Sequence, residues 1–295
     1  MIVAGAFPLV LRSWRMVLWL YGVNFLMSLL VLLPAYATLR REMGTSLEYL
    51  KLLNGFDFTV YSDFRHSHGA ATDSLLTVGF WLGLLYLLIS VFFSGGMLRQ
   101  LASATDRRQT FQASWFLVAS MQSFGRFFRL FLCVAGFILL LSVVFLLLGG
   151  LGGLALSETL NEEELSYFAL ACLLLFGLSV LFTLCVGDYA KILLFRRNET
   201  HALPAFREAM RFVLSHVRAA FGNYLLLNGV GAICFAIYFL LDSWIVTGGW
   251  AAIALLFLIQ QLFIFSRIAL KVWALATATT VFTIQKNHLT IFSSW

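Results

Sequence analysis

Six apolar stretches constrain this chain more than any motif in it, each close to the roughly 20 residues an α-helix needs to cross a bilayer's hydrocarbon core. They occupy residues 16–36, 74–97, 130–151, 166–187, 222–241 and 248–266. Charge is scarce to match: 12% of the residues are Asp, Glu, Lys or Arg, about half the roughly 25% usual in soluble proteins. A soluble chain of 295 residues could not cover its surface with so little. The expected class is an all-α, polytopic membrane protein with six transmembrane helices, forming one integral membrane domain over residues 1–295. Its first run follows Arg12 and Arg15 and precedes Ala35-Tyr36-Ala37, as a signal peptide would. The run is longer than the ~7–15 residues of a signal core, so it is expected to remain as the first span.

Lys and Arg set the orientation, because short cytoplasmic segments carry the excess of positive charge. With the N-terminus inside, the inner segments hold Arg12 and Arg15, then Arg99, Arg107, Arg108, Arg126 and Arg129. They also hold Lys191, Arg196, Arg197, Arg207, Arg211 and Arg218, and finally Arg267, Lys271 and Lys286. The outer loops keep only Arg40, Arg41, Lys51 and Arg65, and most of the acids. The expected topology is N-in, C-in.

Residues 188–224 form the most basic interval between two apolar runs. Phe206, Met210, Val213, Leu214, Val217 and Phe221 recur there at helical spacing, and Pro204 falls where a first turn tolerates proline. This predicts an amphipathic helix on the cytoplasmic membrane surface, leading into the fifth span. Phe111, Trp115, Val118 and Phe124 outline a similar surface helix before the third span. The chain therefore reads as three helical-hairpin units, near 1–97, 98–187 and 188–295, each preceded by a basic amphipathic surface helix. Arg12-x-x-Arg15 and Arg126-x-x-Arg129 correspond at one offset, as do Leu18 with Leu132, Gly22 with Gly136 and Ser28 with Ser142.

The outer loops differ in size. Residues 37–73 have room for short helices, one capped by Thr45-Ser46 and stopped near Asn54-Gly55. Residues 152–165 carry Glu158 and Glu162-Glu163-Glu164, acids that suit the N-terminus of the fourth span. Residues 242–247 form a tight turn. Beyond the sixth run, residues 268–284 are apolar enough to continue its helix past Arg267 and Lys271 and out into the cytoplasm.

Several groups could carry chemistry. Each R-x-x-R pair places two guanidiniums on one helix face, and arginine binds phosphate bidentately. Arg12, Arg15, Arg126, Arg129, Lys191, Arg196, Arg197, Arg207, Arg211 and Arg218 are thus candidates for contact with lipid head groups or a partner. Asp63, His66, His68 and Asp73 have donors that suit a divalent metal, but at a spacing unlike structural zinc sites. Solvated loop residues are the plainer reading, and no metal is expected. Near mid-span the polar residues are Asn24, Ser28, Ser142, Asn228, Gln260 and Gln261; no Asp, Glu, Lys, Arg or His is there. That argues against an ion-coupled pump. The histidines, at 66, 68, 201, 216 and 288, lie outside the spans, so haem ligation within the bilayer is not expected. Cys133, Cys172, Cys185 and Cys234 fall inside apolar runs, without a C-x-x-C pair, and read as small buried hydrophobes. No phosphate-binding loop, H-E-x-x-H or G-x-S-x-G is present. The basic residues flank apolar runs, which fits anionic lipid better than nucleic acid. Gly95-Gly96, Gly149-Gly150 and Gly152-Gly153 lie near span ends and suit close helix packing or turns.

The elements Gly95-Gly96-Met97-Leu98-Arg99 and Asp188-Tyr189-Ala190-Lys191-Ile192, with Arg211-Phe212-Val213 after them, resemble a group of uncharacterised six-span bacterial inner-membrane proteins. A looser likeness is to the membrane domains attached to some bacterial glycerophosphodiesterases, whose catalytic domain this chain lacks. The resemblance implies a multi-pass protein of the bacterial inner membrane and hands over no activity. The function expected is a non-enzymatic scaffold, assembly factor or accessory subunit, in contact with membrane lipids and partner subunits. No cofactor is expected beyond bound phospholipid. The alternative is a carrier or binder of lipid or another amphiphile. It predicts a cavity running from Arg126/Arg129 or Arg207/Arg211 towards Asn24, Asn228 or Gln260.

Overall fold

A computed structural model describes residues 2–43, 58–59, 62, 66, 69–105, 111–157, 159, 161–197, 201–245 and 249–292. Every regular element among them is helical. In chain order these are α1 (Ile2–Arg12), α2 (Trp14–Met43), α3 (Gly69–Thr105), α4 (Ala113–Leu156), α5 (Glu162–Arg197), α6 (Ala202–Ser215), α7 (Asn223–Trp244) and α8 (Trp250–Phe292). A π-helical turn, Arg218–Gly222, joins α6 to α7. Among the described residues, six helices are long and apolar enough to span a membrane, one for each apolar run. The architecture is that of a multi-pass membrane protein.

One rod differs from the sequence reading and another follows it. α4 is one helix of 44 residues, about 66 Å at 1.5 Å per residue. The surface helix expected around Trp115 and Phe124 is therefore the N-terminal part of the third span, because no Pro or Gly pair interrupts the backbone between them. α8 runs unbroken through Arg267 and Lys271 for 43 residues, so residues 268–284 do continue the sixth helix. The described residues leave out most of 44–68, so the short helices expected in the first outer loop lie outside them.

The chain forms two compact bodies. The first comprises Met1–Ser13, Val91–Gly229 and Val272–Trp295, and the second Trp14–Ser90 and Val230–Lys271. In the first, α4 packs along α5, and α6 packs against both. The end of α3 is fastened to the start of α4 through Gly95 and Gly96. The Gly96 N–H donates to Ser120 Oγ at 3.2 Å, and a side chain at either glycine would collide with Ser123, Phe116 or Ser120. Nearly all the apolar core belongs to this body, including Leu98, Leu101, Phe116, Leu130, Val186, Ile192, Leu194, Val272 and Val281.

α6 departs from the expected surface helix in where its apolar stripe goes. Phe206 and Val213 are buried in protein, with Phe206 5.7 Å from Phe137 of α4. Phe212 packs against Tyr189 of α5 and Phe282 of α8 at 5.4 and 5.3 Å. Leu214 and Val217 face outward instead, and within the π turn Phe221 meets Phe182 edge-on at 5.4 Å. A stripe of this kind can be covered by lipid or by protein, and here neighbouring helices cover Phe206 and Val213 while Leu214 and Val217 stay exposed.

The second body is joined by polar and aromatic contacts. The Tyr21 hydroxyl donates to Gln261 Oε1 at 2.7 Å, Lys271 Nζ to Ser90 Oγ at 2.6 Å, and Tyr238 stacks on Phe263 at 4.9 Å. Its buried apolar residues, among those described, are Met16, Val17 and Leu20. Across all six spans, at most 17% of the most apolar window is buried.

Candidate functional site

Four helix segments of the first body line an open-sided cavity of about 610 Å³. α1 contributes Gly5, Pro8, Leu9 and Arg12, and the end of α3 contributes Leu98, Leu101 and Ala102. The end of α5 adds Ile192, Phe195 and Arg196, and α8 adds Thr279, Thr280, Thr283 and Ile284. The volume lies inside the roughly 300–1,000 Å³ of small-ligand sites. One part of the wall is aliphatic and aromatic. The other presents two guanidiniums and three hydroxyls, with no acid, histidine or cysteine among the described lining residues.

Each element is positioned by contacts that can be named. α1 is fastened to α8 by the Trp273 indole N–H, which donates to the Val3 carbonyl at 2.9 Å, and by Phe7 against the same ring at 5.0 Å. Arg12, further along α1, lines the same cavity as Thr279, Thr280 and Thr283 of α8. Arg196 donates to Thr283 Oγ1 and lies 5.2 Å from the Phe282 ring centre, a cation–π geometry that fixes the plane of its guanidinium. The neighbouring Arg197 makes a bidentate pair with Glu208 of α6, both contacts at 2.6 Å. Thr279 and Thr280 both donate to the Ala276 carbonyl, at 2.7 and 2.9 Å, and Thr283 donates to the Thr279 carbonyl.

Of the ten basic candidates, this cavity brings Arg12 and Arg196 together. Lys191 is held by Asp188 at 2.7 Å, and Arg197 by Glu208. Arg15, in the second body, lies 5.8 Å from the Trp14 ring centre. Arg207, Arg211 and Arg218 are exposed around α6, Arg129 is exposed on α4, and Arg126 is partly covered there. None of the residues on the expected route from Arg126/Arg129 or Arg207/Arg211 towards Asn24, Asn228 or Gln260 lines this cavity. The amides of Asn24 and Asn228 instead donate to the Leu20 and Tyr224 carbonyls of their own helices.

Other sequence candidates are placed as follows. Glu162–Glu164 form the first turn of α5, and Glu164 Oε2 accepts the Asn161 N–H at 3.1 Å, half of a capping box. Asp63, His68 and Glu158 lie outside the described residues, so the candidate metal group is not assembled among them. The four cysteines are free and intermediate to buried in exposure. Two features were missed. The threonines of the site fall in the run Ala276-Thr277-Ala278-Thr279-Thr280, a polar cluster inside an apolar helix that could have pointed to it. Gly79 and Gly83 of α3 form a G-x-x-x-G spacing, a known helix-docking pattern, and neither has a neighbour within 4 Å of where a Cβ would stand.

Comparison with known proteins returns no matching family model, no similar curated protein and no similar solved structure.

Proposed function

We propose that this chain is a non-enzymatic, multi-pass protein of the bacterial inner membrane that binds an anionic amphiphile in the cavity of its first body. The carrying observation is that cavity. It places Arg12 and Arg196 beside apolar side chains, and its described lining residues offer neither a nucleophile with a base nor a paired acid. The N-terminal helix and the ends of the second, fourth and sixth spans all reach it, which supports both termini lying on the basic, cytoplasmic side. The likeness to six-span inner-membrane proteins belongs to the same proposal.

Native mass spectrometry of protein released gently from membranes tests the reading. Wild type should retain an anionic amphiphile near one per chain, and Arg12→Gln combined with Arg196→Gln should lose it. Equal retention by both proteins would overturn the proposal.

A second reading, the scaffold or accessory subunit, draws on the second body. Its spans bury little within this chain, and the Gly79–Gly83 face of α3 is open, a surface suited to a helix of a partner subunit. Crosslinking from Phe80 in native membranes should capture another membrane protein, and Gly79→Leu should abolish that product. A crosslink that survives Gly79→Leu would exclude this face.

A further inference from the structure

Resting on the amphiphile reading, we infer that the head group taken by this cavity is a phosphomonoester, held between Arg12 and Arg196 and completed by a threonine hydroxyl of α8. Charge supplies the first argument. Two guanidiniums line the cavity and, among the described lining residues, no carboxylate does, so that lining carries close to two positive charges. A phosphomonoester carries about −1.5 to −2 at pH 7, with three terminal oxygens, whereas a phosphodiester carries one negative charge and two such oxygens. Carboxylates, with one charge and a planar pair of acceptors, would leave one guanidinium uncompensated.

Donor geometry supplies the second. Arg196 is held at one edge by Thr283 Oγ1 and braced by the Phe282 ring, so its remaining N–H groups have a fixed direction. Arg12 is exposed and lines the same cavity from α1. The hydroxyls of Thr279 and Thr280 share one acceptor, the Ala276 carbonyl. Either can turn towards a ligand while the other keeps that carbonyl bonded. The third phosphate oxygen thereby gains a donor without leaving a buried acceptor unpaired, the usual cost of such a rotation. The apolar wall and the cavity volume suit the first part of an acyl or polyprenyl chain, the remainder extending outside.

The test uses the full chain, delipidated in a neutral detergent, and measures binding of four probes: phosphatidic acid, phosphatidylglycerol, phosphatidylcholine and inorganic phosphate. Phosphatidic acid is expected to bind at least tenfold more tightly than phosphatidylglycerol, and inorganic phosphate at least a hundredfold more weakly than phosphatidic acid. Arg12→Gln should remove tenfold or more of the phosphatidic acid affinity while leaving the unfolding temperature unchanged. Arg12→Lys should recover only part, because lysine keeps the charge and loses the fork. Thr279→Val and Thr280→Val should each cost less than the double variant.

Equal binding of phosphatidic acid and phosphatidylglycerol, both lost in Arg12→Gln, would overturn the phosphomonoester assignment and leave the amphiphile reading standing. Inorganic phosphate binding as tightly as phosphatidic acid would show free phosphate to be the ligand and remove the lipid. No lipid binding above the phosphatidylcholine level would end both.

Discussion

Gly96 is where the packing of the first body is most open to a quantitative challenge. A Cβ built there stands 2.6 Å from both Phe116 Cε2 and Ser120 Oγ, about 1 Å inside the roughly 3.5–4.0 Å of a relaxed carbon contact. Neither neighbour has space to withdraw: Phe116 is 3% exposed and Ser120 is fully buried. Gly96→Ala therefore sets two effects against each other. Helix propensity favours alanine by about 1 kcal/mol. Overpacking a filled site costs typically 1–3 kcal/mol, and collision with two immobile groups belongs at the upper end. The expected net loss is about 2 kcal/mol, with the Gly96–Ser120 hydrogen bond strained as well. Gly125→Ala in α4 is the control, because nothing lies within 4 Å of its Cβ position and only the propensity gain applies. Thermal unfolding in detergent, read as the monodisperse fraction surviving each temperature, should fall by several degrees for Gly96→Ala. For Gly125→Ala it should hold or rise. A Gly96→Ala protein as stable as wild type would refute the claim that α3 and α4 meet backbone to side chain at this point.

Phe206→Ala should destabilise by about 3–5 kcal/mol as a buried aromatic deletion, while Leu203→Ala, at an outward site 69% exposed, should stay within ~0.5 kcal/mol; the same unfolding assay reads both, and the reverse order would mean that the inward and outward faces of α6 are exchanged. A double-mutant cycle on Arg197 and Glu208 should give a coupling of only about 0.5–1 kcal/mol despite the bidentate geometry, because both side chains are nearly half exposed and screened. That coupling should shrink further in high salt. Tyr21→Phe should cost about 1 kcal/mol by removing the donor to Gln261 within the spans, and an unchanged unfolding temperature would show the pair to be energetically idle.

The six spans were legible because a bilayer imposes length and composition directly on sequence: each apolar run became one helix. Helix azimuth was not legible in the same way. Phe206 and Val213 satisfy the same spacing whether lipid or protein covers them, so periodicity alone could not assign their neighbours. Arg12 and Arg196 are far apart in the chain, and Arg12 reads most naturally beside Arg15. The turn at Ser13 separates them, leaving Arg12 on α1, where the Trp273–Val3 contact carries it to α8. The threonines were overlooked because each bonds its own helix and scarcely alters the hydropathy of the tail. The acids at the start of α5 were readable because capping is local.

α4 and α5 extend about 66 and 54 Å at 1.5 Å per residue, from 44 and 36 residues, against roughly 30 Å of hydrocarbon. Neither rod has a joint along its length. What turns the end of α5 that bears Ile192 and Arg196 must also turn the part lying among acyl chains, since a continuous ladder of backbone hydrogen bonds transmits twist without slack. Occupancy at the basic end would then be felt as tilt at bilayer depth, and a change in bilayer thickness would be felt in return by the guanidinium of Arg196.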